Sequence, residues 1–252
     1  MMLLRSTSLP HSPSRSFVRQ MIDEASQPYR SAGRFAWHFA RGKLGGDPVF
    51  IGLLAHGLLP PCARIIDIGC GQGLLTAWLK AAKALQDKGC WPVDMPPAPD
   101  PIAIHGIELM TRDVERAQAA LGGSNSMDVQ FTAGDMCKVE FMQADAVVIL
   151  DVLHYVDIAA QNDVLRRVRD ALTPNGRLIL RVGDADGGWP FRFSVWVDHA
   201  VTFVRGHRHS QLHCRPLSAW QTTLEALGFS LRTIPMNQGT PFANILLVGT
   251  LQ

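Results

Sequence analysis

The stretch Arg64-Ile65-Ile66-Asp67-Ile68-Gly69-Cys70-Gly71-Gln72-Gly73-Leu74-Leu75 decides the fold. It opens on a short β-branched run, and from Leu74 to about Leu85 the apolar residues Leu75, Trp78, Leu79 and Ala82 recur at helical spacing. A strand therefore feeds a helix through three alternating glycines. Glycine at such a turn lets backbone N–H groups come close to a ligand, and the helix N-terminus adds partial positive charge. The arrangement implies a nucleotide-like ligand. The dinucleotide fingerprint, with glycine at positions one, three and six, fails here, because the sixth residue counted from Gly69 is Leu74. Asp67, two residues before the first glycine, would repel a pyrophosphate but could engage an ammonium group.

Outward from this stretch, strand and helix alternate. Ile102 to Leu109 predicts a second strand, Arg112 to Leu121 a helix, and Val129 to Ala133 a third strand. Ala144 to Asp151 is almost continuously apolar, as a central parallel strand buried on both faces requires. A helix at Ala159 to Leu172 leads through Thr173-Pro174-Asn175-Gly176 into a strand at Arg177 to Val182. A helix at about Leu217 to Leu227 and strands near Ser230 to Pro235 and Asn244 to Thr250 follow. This rhythm means an α/β chain with a doubly wound parallel sheet.

Before it, residues 17–59 read as a helical N-terminal cap, in which Asp47 caps a helix with Pro48 at its first position and Pro60-Pro61 ends it. Residues 1–16, rich in Ser, Pro and Arg, read as a mobile tail. The main domain is expected over 60–252, with insertions at 86–101 and 184–216. The first holds five prolines between Trp91 and Pro101 and is expected to be a surface insertion. The second is aromatic and rich in histidine.

Composition narrows the function. Among 252 residues, 24 Lys+Arg face 22 Asp+Glu, a net charge of +2. That balance, with no block of like charge, argues against a bulk binder of nucleic acid or anionic membrane. The five cysteines are scattered without a C-x-x-C pair, so neither zinc ribbon nor disulfide framework is indicated, and no eighteen-residue apolar run suggests a membrane span. A cytoplasmic location is expected.

Asp67-Ile68-Gly69-Cys70-Gly71-Gln72-Gly73 resembles motif I of the class I, Rossmann-like S-adenosylmethionine-dependent methyltransferases, and the likeness runs in order from about Ala63 to the C-terminus. The resemblance implies a seven-stranded, mostly parallel sheet with the last strand antiparallel, and S-adenosylmethionine as cofactor with S-adenosylhomocysteine as product. It implies cofactor contacts from Asp67, Gly69, Cys70, Gly71 and Gly73, from Glu108 and Leu109 at the ribose, from Asp135 and Met136 at the adenine, and from Asp151. Glu108 lies about forty residues beyond Asp67 instead of the usual twenty, an excess the proline-rich insertion accounts for. Leu172-Thr173-Pro174-Asn175-Gly176 is similar to the family's L-x-P-G-G turn, with Asn175 in place of one glycine.

His154 and Tyr155, after the fourth strand, are the catalytic candidates, and histidine can act as a base near neutral pH. A packing role for His154 is equally open. The acceptor pocket is expected from the cap and the second insertion, where Arg192, Trp196, His199 and Phe203 share one possible helix face behind Trp189, Phe191 and Phe193, in outline an aromatic lid. His207, His209 and His213 have a spacing that could hold a metal; a basic loop is preferred and no metal is assigned. In the cap, one cation among Arg34, Arg41 and Lys43 could reach the cofactor's carboxylate. The acceptor is expected to be a small molecule, aromatic or acidic, methylated on oxygen or nitrogen. The alternatives are a tRNA or protein acceptor and a non-catalytic, cofactor-binding partner subunit.

Overall fold

The computed structural model describes residues 13–123, 127–183, 212–236 and 244–252. Three cap helices, α1 (Arg15–Ser26), α2 (Arg34–Gly46) and α3 (Pro48–Ala55), precede β1 (Arg64–Ile68). Then come α4 (Leu74–Asp87), β2 (Ala103–Glu108), α5 (Thr111–Leu121), β3 (Asp128–Ala133) and β4 (Ala144–Leu150). The chain continues with α6 (Ile158–Ala171), β5 (Leu172–Gly183), α7 (Leu217–Ala226), β6 (Phe229–Pro235) and β7 (Asn244–Leu251). The strands form one seven-stranded sheet in the order β3-β2-β1-β4-β5-β7-β6. Strands β1 to β5 pair in parallel, and β7 runs antiparallel to both β5 and β6. The order reverses between β1 and β4, so a crevice opens at their carboxyl ends, where sheets of this type take ligands.

β4 is central because its sequence permits nothing else. Ala146, Val147, Val148 and Ile149 are each 0 % exposed, and only a strand covered on both faces can bury four consecutive side chains. One face packs on α6 and α7 through Val164, Leu165, Val168, Trp220 and Leu224. On the other face, Trp78 and Leu79 of α4 share one continuous core with Phe17, Met21 and Tyr29 of the cap. The indole N–H of Trp78 donates to the Phe50 carbonyl at 2.8 Å, which fixes α3 to α4. The boundary expected at residue 60 therefore separates elements of the chain but not cores.

Several boundaries move. Ser14 caps α1 by accepting from the Phe17 N–H at 3.2 Å, so Arg15 and Ser16, expected in a mobile tail, are helical. The helix expected to stop near Leu85 runs to Asp87, so the first insertion begins later than residue 86. That proline-rich segment is a strap across the α4 side and not a plain surface excursion. Met95 and Ala98 are buried, Gln86 accepts from the Ala98 N–H at 2.7 Å, and Trp91 donates to the Pro96 carbonyl at 2.9 Å. Prolines that cannot join a helix or inner strand still cover apolar surface. The turn expected at Thr173–Gly176 lies within β5, with Asn175 at φ +64°, and pairing with β4 jumps there from Ala144–Leu172 to Ala146–Arg177. The expected lid residues from Trp189 to Phe203, together with His207 and His209, lie outside the described residues. Among the described residues no helix is long and apolar enough to cross a membrane.

Candidate functional site

A cavity of about 570 Å³ lies where β1, β2 and β4 end, roofed by α2 and the start of α3. Its sheet side is made by the glycine turn. Gly69, Gly71 and Gly73 all have positive φ, at +77°, +54° and +75°. The first and third are packed shut: a Cβ on Gly69 would come within 2.4 Å of Val152, and one on Gly73 within 2.8 Å of Phe131. At Gly71 nothing lies within 4 Å of that position, so the turn is tight on its protein side and open where it lines the cavity. Glu108, at the end of β2, closes the turn by accepting from the Gly71 N–H at 3.0 Å and, through its other oxygen, from the Met110 N–H at 2.9 Å.

Asp67 lines the same cavity and is 4 % exposed. Burial first, and the charge of Glu108 second, push its pKa up to about 7. Among the described residues no hydrogen bond or ion pair offsets its charge. A buried carboxyl in this condition favours a cation beside it, because ionisation is otherwise disfavoured by both terms. Tyr29 reaches in from the cap: its buried hydroxyl donates to the Gln72 carbonyl at 2.8 Å, tying the cap to the glycine turn. Burial raises the pKa of Cys70, with the nearby carboxylates Asp67 and Glu108 adding to it, so this lining cysteine is a thiol and not a nucleophilic thiolate.

The cap side of the cavity is built on charge. Arg181 of β5 is 2 % exposed and donates from two nitrogens to Asp47, one contact measuring 2.7 Å, and from two to Asp151, the Nε contact measuring 2.9 Å. Lys43 meets Asp47 from the other side at 2.7 Å. Asp47 also performs its expected capping role, accepting from the Val49 N–H at 3.1 Å. Burial opposes its charge, but Arg181 and Lys43 outweigh burial and hold its carboxyl well below the usual range. Burial likewise opposes the guanidinium of Arg181, and the two aspartates hold it above its ordinary value. Asp151 sits in the left-handed region at φ +58°, a conformation aspartate tolerates better than most residues and one this clamp retains.

At the far end of β4, His154 and Tyr155 form a short 3₁₀ turn with ring centroids 4.3 Å apart. The His213 N–H donates to the His154 carbonyl at 2.9 Å, and beyond it Cys214, Arg215 and Trp220 complete the wall.

Of the residues expected from the sequence, the cavity brings together Asp67, Gly69, Cys70, Gly71, Glu108, Asp151, His154 and Tyr155. Gly73, Leu109, Asp135 and Met136 are not part of its lining. Gly73 faces Phe131, Leu109 is 61 % exposed, and the Asp135 carboxylate is engaged by the Cys137 N–H at 2.9 Å. Lys43 is the cap cation at the cavity, whereas Arg41 pairs with Asp23 at 2.6 Å, away from it. The sequence reading missed Arg181, Asp47 as a lining acid, Tyr29 and Arg215. The one signal available was an arginine inside an otherwise apolar strand, Leu178-Ile179-Leu180-Arg181-Val182, which demands a buried carboxylate.

Residues 66–178 match a family model described as a methyltransferase domain. The chain is 27 % identical over 182 residues to the carboxy-S-adenosyl-L-methionine synthase of Aeromonas hydrophila subsp. hydrophila, covering 69 % of this chain and 64 % of that protein, slightly under two thirds of its length. It is 27 % identical over 220 residues to the protein of the same name from Pseudomonas syringae pv. tomato, covering 78 % of this chain and 80 % of that one. In fold it is similar to magnesium protoporphyrin IX methyltransferase from Synechocystis PCC 6803 with bound S-adenosylhomocysteine, at TM-score 0.56 and 19 % identity over 95 % of this chain and 100 % of that one.

The charge clamp is open to direct test. Arg181→Met keeps the bulk and leaves Asp47 and Asp151 without their shared partner. Since Lys43 still meets Asp47, we expect stability at pH 7 to fall by about 3 kcal/mol, the lower end for a broken buried pair. A carboxyl held low in the folded state adds stability that is present above its unfolded value near 4 and lost as pH falls through the folded value. The deficit of the variant must therefore stay level from pH 7 to about pH 5 and shrink only as pH falls below about 4 in urea unfolding. A deficit below about 1 kcal/mol at pH 7 would show that the clamp is not structural.

Proposed function

We propose that this chain, which belongs to the class I S-adenosylmethionine-dependent methyltransferase family, transfers the methyl group of S-adenosylmethionine to an oxygen or nitrogen of a small-molecule acceptor. One observation carries the reading: Asp67, the open side of Gly71 and Glu108 converge on one cavity at the ends of β1 and β2. A ligand with an ammonium group and a pair of sugar hydroxyls fits this donor set. Asp67 supplies a carboxylate for the cation. Glu108 offers two oxygens as acceptors, and the bare face of Gly71 lets the ligand lie against the backbone.

When bound, S-adenosylmethionine supplies a methyl group on a sulfonium centre whose leaving group is neutral. What the protein must add is position, and a base only where the acceptor loses a proton. Lys43 and the Arg181 clamp keep the cap over the cavity. Tyr29 holds the glycine turn in place. His154, beside Tyr155, stands where an acceptor would enter and takes the acceptor's proton.

The Aeromonas and Pseudomonas relatives carry a name that supports a second reading, formation of a carboxylated S-adenosylmethionine. The two differ in product. Methyl transfer leaves S-adenosylhomocysteine, and the second reaction leaves a nucleoside heavier than S-adenosylmethionine, so mass spectrometry of the turned-over cofactor decides between them.

Calorimetric titration with S-adenosylhomocysteine tests the site. Gly71→Val should abolish binding by filling the open face, and Glu108→Ala should weaken it by about 1.5–3 kcal/mol through lost charge-assisted hydrogen bonds. Unaltered binding by Gly71→Val would place the cofactor elsewhere. The same titration has a pH signature. Asp67 with a pKa of about 7 must lose its proton to receive a cation, so protons are released on binding below pH 7 and affinity falls as pH drops from 8 to 6. Asp67→Asn should bind weakly at every pH and lose that slope; a flat wild-type profile would remove Asp67 from the site. For catalysis, His154→Ala should lower turnover by about 10²–10⁴ with cofactor affinity nearly unchanged, and full turnover in the variant would leave His154 a packing residue.

A further inference from the structure

The cations that line the cavity are not equivalent. Lys43 and Arg181 are spent on Asp47 and Asp151. Arg215 lines the same cavity, is 6 % exposed, and meets no carboxylate among the described residues. Among the described residues, neutral oxygens alone hold its guanidinium. Nε donates to Gln161 Oε1 at 2.7 Å, Nη1 to Thr223 Oγ1 at 3.1 Å, and Nη2 to Asn162 Oδ1 at 2.7 Å and the Ile158 carbonyl at 3.1 Å. The Gln161 amide cannot turn away, because its nitrogen donates to the carbonyls of Val156 at 2.9 Å and His213 at 2.8 Å. Burial lowers the pKa of Arg215, and among the described residues no charge compensates. The guanidinium is thus oriented without being neutralised, with one Nη1 hydrogen uncommitted among the described residues.

A second unmet donor lies beside it. Trp220 also lines the cavity, is 1 % exposed, and stacks under the guanidinium at 4.6 Å. Its indole nitrogen is buried and has no hydrogen-bond acceptor among the described residues. Leaving a buried donor unmet is unfavourable, as is leaving a buried cation unpaired, and here both conditions occur in one wall. An anionic oxygen ligand relieves both.

We infer that Arg215 and Trp220 form a carboxylate subsite, and that the acceptor is a small carboxylic acid. This rests on the methyltransferase reading and deepens it. One uncompensated positive charge matches a monoanion, whereas a phosphate dianion would require a second uncommitted cation, which Lys43 and Arg181 do not provide. The subsite is also placed to orient: the His213 N–H on the His154 carbonyl ties the segment bearing Arg215 to the turn bearing His154 and Tyr155. An acceptor held by its carboxylate at Arg215 therefore presents the rest of its structure toward that turn.

The experiment uses the whole ¹⁵N-labelled chain saturated with S-adenosylhomocysteine and follows the indole N–H signals, with the Trp220 signal identified by its loss in Trp220→Phe. Benzoate is the probe, and neutral benzamide and inorganic phosphate are the comparators. Benzoate should move the Trp220 signal saturably, benzamide should not, and Trp220→Phe should weaken benzoate binding roughly tenfold by removing one donor to a charged acceptor. Arg215→Gln should weaken it further. Should that variant fail to fold, the Trp220 signal and Trp220→Phe still decide. A Trp220 signal indifferent to benzoate, or equally responsive to benzamide, overturns the subsite. A stronger response to phosphate overturns its assignment to carboxylates. Failure of the unchanged chain to bind S-adenosylhomocysteine sinks the methyltransferase reading itself, and is read separately before any probe is added.

Discussion

A buried guanidinium needs opposing charge, and in this protein that requirement joins the cap to the sheet. Arg181 leaves β5 near its carboxyl end with its head group almost completely out of water, and its two carboxylate partners come from two distant, earlier parts of the chain. Asp47 is the junction between α2 and α3, and Asp151 follows β4. The guanidinium accordingly sets the distance between the roof of the cavity and its floor. Lys43 completes the balance, so that two cations face two carboxylates, and the group carries no net charge into the cavity. Apolar packing through Phe17, Met21 and Trp78 gives the cap its affinity for the sheet. It does not choose an angle, since hydrophobic contact is non-directional, whereas four directed N–H bonds do.

The distribution of charge around the cavity follows from this. With Asp47 and Asp151 neutralised by the clamp, the acids left among the described lining residues are Asp67 and Glu108, both on the β1–β2 side. Among the described residues, the lining cation left to act is Arg215, on the α6–α7 side. A cavity polarised in this way favours a cationic group at one end and an anionic one at the other. It keeps them in order, because exchanging them would set like charges together in a poorly hydrated space.

Legibility in the sequence tracks the range over which each residue acts. The glycine turn was readable because strand, Asp67, three glycines and helix lie within a dozen residues, and the alternation of elements declared the sheet. Glu108 was readable as the end of a strand, and Asp47 as a cap. Arg181 was not, since its partners lie 134 and 30 positions away and its own segment reads simply as a strand. Arg215 sat in a run of Arg and His that resembled a solvated loop, and only its insertion between α6 and α7 makes it buried. Tyr29 failed for the same reason: a tyrosine in a cap helix says nothing about a carbonyl 43 residues further on. Leu109, Asp135 and Met136 came from the family pattern, which carries identity by position and not by the direction of a side chain. The proline-rich segment was misjudged because composition excludes helix and inner strand without excluding burial.

The glycine turn is held from three sides, and each restraint belongs to a different element. The Tyr29 hydroxyl fixes the Gln72 carbonyl from the cap, Glu108 fixes the Gly71 N–H from β2, and Val152, following β4, packs where a Gly69 side chain would go. A loop restrained this way needs little ordering when a ligand arrives, so more of the binding free energy remains for discrimination. The restraint from Glu108 has a second consequence. Its carboxylate is pinned by the backbone before any ligand is present, so a hydroxyl-bearing ligand meets acceptors already aimed. Its fixed charge in turn raises the pKa of Asp67. The acid that anchors the turn thereby also makes its buried neighbour prefer a proton until a cation replaces it. Rigidity and charge selectivity at this site are two effects of one side chain.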